Sequence, residues 1–90
     1  MIKHFNITVS GRVQGVGFRY SVRSIAQILK ISGFVKNLYN GSVYIEAEGE
    51  DQPIHEFIEW CKKGPDRSRI DFTNVIPGEV ENFQGFEVRF

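Results

Sequence analysis

The chain has a single cysteine, Cys61, so no disulfide can form within it. That usage suits a reducing compartment. Neither sign of charge is in excess: eleven Lys and Arg balance eleven Asp and Glu. A formal net charge of zero gives no general attraction to nucleic acid or a lipid surface, both of which call for surplus Lys and Arg. No apolar run approaches the roughly 20 residues of a membrane span. The opening "MIKHFNITVSG" alternates apolar and polar residues and lacks the apolar stretch of a secretory signal. His4 and His55 have no ligand partners at metal spacing, so no metal site is expected. Repeats, linkers and low-complexity segments are missing too. These absences predict a soluble, cytoplasmic monomer, one domain over residues 1–90, with no cofactor and no nucleic-acid or membrane partner.

What is present is patterned. Eight phenylalanines and a 41% hydrophobic content can fill one core. Residues 2–13, "IKHFNITVSGRV", alternate Phe5, Ile7 and Val9 with His4, Asn6 and Thr8, the period of a strand with one buried face. Val22, Ile25, Ala26 and Leu29 recur at helical spacing, and Gly33 is the expected C-terminal cap. "FVKNL" and "SVYIEAEGE" read as strands around a tight Asn40-Gly41 turn. On the second, Glu46, Glu48 and Glu50 share a face expected to be solvated. Asp51 as N-cap, Pro53 in the first turn, Lys62-Lys63 in the last and Gly64-Pro65 beyond punctuate a second helix. "RIDFTNVIP" and "GFEVRF" complete the strands, with Phe86, Val88 and Phe90 on one face. The order predicts an α+β, ferredoxin-like split βαβ sandwich: an antiparallel sheet of four to five strands with two helices on one face. That fold hosts many functions.

Chemistry concentrates in "GRVQGVGFRY", residues 11–20. It is no dinucleotide fingerprint, because the third glycine is missing, and no Walker loop, because no Gly-Lys-Ser/Thr follows. The first N–H groups of the helix that starts near Arg19 have no intrahelical acceptors. Apart from glycine, no residue of the usual capping type precedes it. Those donors, the glycine-rich curve and the Arg19 guanidinium can surround an anion. A plain strand-to-helix connection with hydrated N–H groups is the competing reading. Arg23, one turn on, lies on the same helix face as Arg19. Asn37, taken alone, reads as a turn residue; beside an anion loop its amide can orient water. "CKKGPDRS" matches the C-x-x-G-x-x-R-S loop of cysteine-dependent phosphatases, but Cys61 falls on the apolar stripe at a helix end, where a thiol is inert.

"GRVQGVGFR", followed by "GFVKNLYNGSVYIEAEGE" and then by "WCKKGPDRSRIDFTNV" and "FEVRF", resembles the acylphosphatases over essentially the whole chain. The resemblance implies metal-independent hydrolysis of acyl phosphates to a carboxylate and inorganic phosphate. It implies a phosphate loop of Gln14, Gly15, Val16, Gly17, Phe18 and Arg19, with Arg19 and Asn37 catalytic. Lys36, Phe34 and Asn40-Gly41 depart from commoner family choices. The alternatives are a non-enzymatic small-anion or RNA-binding module of this fold, an accessory domain matched to a larger carbamoyl-phosphate enzyme, and a phosphatase using Cys61.

Overall fold

Seven elements account for most of the chain in the computed structural model, which describes Met1–Phe90 throughout. They are β1 (Ile2–Arg12), α1 (Phe18–Leu29), β2 (Ser32–Asn37), β3 (Val43–Glu50), α2 (Asp51–Lys63), β4 (Arg69–Gly78) and β5 (Phe86–Arg89). The sheet order is β4-β1-β3-β2-β5. The first four strands pair antiparallel, as expected of a ferredoxin-like fold. The fifth does not: β5 runs parallel to β2, from Gly33 opposite Phe86 to Lys36 opposite Arg89, so the sheet is mixed. The chain leaves β4 at one edge, crosses the sheet through residues 79–85, and lays β5 on the far edge.

Alternation places the core as the sequence predicted. Ile7, Val9, Val35, Val43, Ile45 and Ala47 are fully buried on the helix-facing side, against Val22 and Ala26 of α1 and Ile54, Phe57 and Cys61 of α2. The helix ends differ in detail. Lys30, at φ 58°, closes α1, with the Ile31 N–H donating to the Ala26 carbonyl at 2.8 Å. Gly33 is instead a strand residue at φ 144°, and a Cβ there would overlap the Glu46 carbonyl. Asp51 does not cap α2; Glu50 holds that position, and the Asp51 carboxylate is drawn to Lys3 Nζ at 2.7 Å and His55 Nε2 at 3.2 Å. The β2–β3 connection spans residues 38–42, with Leu38 N–H donating to the Ser42 carbonyl at 2.9 Å. Only Gly41 of the Asn40-Gly41 pair has positive φ.

The other sheet face departs from the expected solvated glutamates. Glu48 is 4% exposed and His4 equally buried. His4 Nδ1–H donates to Glu48 Oε2 at 2.8 Å, while Glu81 and Phe83 donate their backbone N–H groups to the same carboxylate. Residues 79–85 supply the cover, and no local pattern announces that crossing. Glu46 is half-buried and accepts from the Tyr44 hydroxyl at 2.8 Å; only Glu50 stays exposed, paired with the N-terminal amine. Phe90, grouped with Phe86 by alternation, lies just past β5 and is 90% exposed, whereas Phe86 is buried.

Two outcomes follow from this packing. Gly33→Ala is expected to destabilise the fold by at least about 2 kcal/mol, because backbone strain and overlap add; the shift of the urea midpoint measures it. Glu48 generates an acid dependence. Burial alone would raise its carboxyl, but the Glu81 N–H, the His4 side chain and the Phe83 N–H together hold it below its ordinary 4.5. A lowered folded-state value means stability that is present above 4.5 and lost as pH falls through the folded value. Urea unfolding from about pH 3 to 7 should show that loss, and Glu48→Gln should flatten it.

Candidate active site

The loop between β1 and α1 takes its shape from two left-handed glycines, Gly15 at φ 76° and Gly17 at φ 74°. Gly17 is the N-cap of α1 and, lacking a side chain, makes no capping bond. The helix begins at Phe18, slightly earlier than the sequence suggested. Its first N–H groups therefore point outward without intrahelical acceptors. No acidic side chain stands in the first turn to use the positive end of the helix dipole.

The remaining loop side chains hold the backbone in place. Phe18 is 1% exposed and packs its ring toward Trp60 at 6.1 Å between centroids. Val16 packs against the core. Gln14 is a strut: its Nε2 donates to the Leu38 carbonyl and the Ser42 carbonyl, each at 2.8 Å. Those bonds tie the loop to the β2–β3 turn and so bring Asn37, at the end of β2, beside it. Asn40 Oδ1 braces the same turn by accepting from the Ser42 N–H at 3.0 Å.

Loop and strand end enclose a cavity of about 110 Å³, lined by Gly15, Gly17, Phe18, Arg19 and Asn37 with Val13, Gln14 and Tyr20. Cofactor and drug-sized sites run to roughly 300–1,000 Å³, so this one suits a single compact group. Five of the six loop residues named from sequence line it, together with Asn37; Val16 does not. A larger cavity of about 530 Å³ adjoins it, sharing Gln14 and Asn37 and bordered by Lys36, Leu38, Tyr39 and Phe90.

Arg19 is held from a direction the sequence did not reveal. Its Nη1 donates to the Arg89 carbonyl at 3.0 Å, and its guanidinium lies 4.5 Å from the centroid of the Phe90 ring. A backbone carbonyl has no sequence signature. Phe90 offered only an aromatic residue that strand alternation grouped with Phe86 and Val88. Arg23 is not brought to the cavity; its guanidinium lies 5.3 Å from the Tyr20 ring centroid. Arg19 is thus the one formal positive charge lining the smaller cavity.

"CKKGPDRS" forms no anion cradle. Cys61 is fully buried, and burial pushes its thiol far up. Gly64 ends α2, Arg67 is exposed, and the Ser68 hydroxyl donates to the Pro65 carbonyl at 2.6 Å. Elsewhere, His4, Glu46 and Glu81 bring potential ligand atoms within 4.8 Å of one another, a grouping their sequence separation hid. His4 is already engaged there, with Nε2 2.7 Å from Asn6 Oδ1 and Nδ1 on Glu48. No helix is long and apolar enough to cross a membrane.

Comparison with known proteins gives the family. The family model named Acylphosphatase matches residues 5–88. An acylphosphatase of Archaeoglobus fulgidus is 46% identical over 84 residues, covering 93% of this chain and 94% of the relative. The crystal structure of the Bacillus subtilis acylphosphatase superposes with a TM-score of 0.94 at 37% identity and covers both chains completely. The HypF protein of T. kodakarensis superposes with a TM-score of 0.85 at 34% identity, over 98% of this chain but only 12% of that much longer one. With the family model spanning nearly its whole length and relatives matched end to end, this chain belongs to the acylphosphatase family.

Proposed function

We propose that the loop N–H groups and Arg19 bind the phosphoryl group of an acyl phosphate while Asn37 orients the water that attacks phosphorus. Family membership supports acyl-phosphate hydrolysis as the activity. The observation that carries the assignment of roles is the convergence of an uncapped helix start, one arginine and one asparagine on a cavity of about 110 Å³.

The chemistry fits so sparse a site. The leaving group is a carboxylate, stable without a proton, so no general acid is required. Phosphoryl transfer through a loose transition state depends on alignment and on stabilising charge on the equatorial oxygens. Backbone donors and a helix N-terminus supply partial positive charge at fixed positions. The guanidinium adds a fork that matches two phosphoryl oxygens. Water forms the new O–P bond as the bond from phosphorus to the acyl oxygen breaks. The carboxylate leaves with that bonding pair, and a phosphoryl oxygen takes the proton of the water. Products are the carboxylate and inorganic phosphate. The scheme uses no metal and forms no covalent enzyme intermediate. It treats residues 1–90 as one domain acting as a monomer on a small molecule.

A second reading has one observation in its favour. The match to HypF means the same fold also occurs as a small part of a longer protein, which leaves room for a binding module of this fold.

Hydrolysis of acetyl phosphate in the presence of a chelator tests the scheme. Arg19→Ala is expected to lose about 3–4 kcal/mol of transition-state stabilisation, a drop of two to three orders of magnitude in kcat/KM. Asn37→Ala should lower kcat about 100-fold while phosphate binding changes little, because water alignment and not anion affinity is lost. Full activity in Arg19→Ala would sink the proposal. A wild-type protein that binds phosphate without turnover would favour the module reading. For Cys61→Ser, retained activity is expected, with stability lower by about 1–3 kcal/mol because a hydroxyl replaces a buried thiol.

A further inference from the structure

Residues 79–85 cross the sheet without regular secondary structure, yet they are pinned at one point. The Glu48 carboxylate accepts the N–H of Glu81 and the N–H of Phe83, the latter at 3.1 Å. Asn82, between them, sits at φ 60°. A left-handed residue turns the N–H groups on either side toward a common concavity, the device that makes backbone nests for anions. Here the anion is the protein's own carboxylate. Asn, with its short polar side chain, adopts that conformation more readily than other non-glycine residues.

From this anchor, contacts run to the candidate site. The Phe83 ring stacks on His4 at 6.0 Å and meets Phe34 edge-on at 5.8 Å. The Arg89 guanidinium lies 3.9 Å from the Phe34 centroid. Along the backbone, the Gly85 carbonyl accepts the Gly33 N–H at 2.9 Å, and the parallel β2–β5 pairing follows. It ends with Arg89 opposite Lys36, and the Arg89 carbonyl holds Arg19. β5 has only four residues and lies at the sheet edge, so its own ladder gives little to fix its position.

We infer that Glu48 is a positioning residue for the anion site: its carboxylate fixes the 79–85 crossing, the crossing fixes β5, and β5 fixes the Arg19 guanidinium. The inference rests on Arg19 being the anion-binding group proposed above. Glu48 acts before the anion arrives, by restricting where Arg19 rests. Once a phosphoryl group is bound, that group itself holds the guanidinium. Loss of the anchor therefore falls on substrate binding more than on the chemical step.

The test is inorganic phosphate affinity, followed by NMR shifts of the amides of residues 15–18, together with acetyl phosphate kinetics. In Glu48→Gln, phosphate Kd and acetyl phosphate KM should rise about three- to tenfold, with kcat changing less. In an Arg19→Lys background, which lacks the fork, adding Glu48→Gln should weaken phosphate no further. Phe83→Leu keeps the carboxylate but removes the ring contact with Phe34; it should weaken phosphate in the same direction, and it carries the test if Glu48→Gln does not fold. An unchanged Kd in Glu48→Gln, or an additive loss in the double variant, overturns the positioning role while leaving the Arg19 reading intact. Phosphate binding unaltered in Arg19→Lys overturns the Arg19 reading and this inference with it.

Discussion

Helix α1 starts on a residue with no side chain to cap it, and the arrangement of the candidate site depends on that. Gly17 takes a left-handed backbone angle and leaves the first N–H groups of the helix facing a small cavity. A Ser or Asp at this position would satisfy one of those donors internally. The neighbouring residues keep the donors pointed outward. Phe18 and Val16 turn their side chains toward the core, and Gln14 ties the loop to the β2–β3 turn with two hydrogen bonds. Asn37 reaches the cavity because that turn is fastened there. Arg19 completes the lining from the first turn of the same helix.

Backbone N–H groups converge at a second place in the molecule, and the comparison is instructive. Near Asn82, two N–H groups converge on Glu48, an anion the chain itself supplies. At Gly15 and Gly17 no side-chain acceptor caps the helix. One arrangement is closed on itself and holds the C-terminal part of the chain to the sheet. The other is open and faces solvent. With a formal net charge of zero, neither depends on a general positive field. Positive potential at the smaller cavity is local, from oriented backbone dipoles and one guanidinium, and so falls off over short distances.

Much of the fold was legible because alternation and helical spacing report burial directly. Phe5, Ile7 and Val9, the α1 stripe and the α2 stripe through Cys61 all reflect one core, and the glycine loop between strand and helix could be read as an unusual helix start. Readings that failed involved contacts with distant residues. Glu48 looked solvated because its neighbours in sequence alternate with apolar residues; it is covered by a segment more than thirty residues away. Gly33 looked like a helix cap because it follows the last periodic residue; a carbonyl on β3 explains it instead. Asp51 had the right type for a cap, but Lys3 on another element claims its carboxylate.

By itself the sequence determined the element order, the helix-facing core and the chemical types at the candidate site: paired glycines, Arg19 and Asn37. These are set by local backbone preference and by the period of burial, both of which a short window contains. Tertiary structure alone decided that β5 would run parallel to β2, that Glu48 would be sealed under residues 79–85, and that Arg19 would rest on the Arg89 carbonyl and the Phe90 ring. Each depends on where the chain returns after crossing the sheet. A crossing of that kind is chosen by the total of buried contacts and satisfied backbone groups, which no local pattern in the chain records.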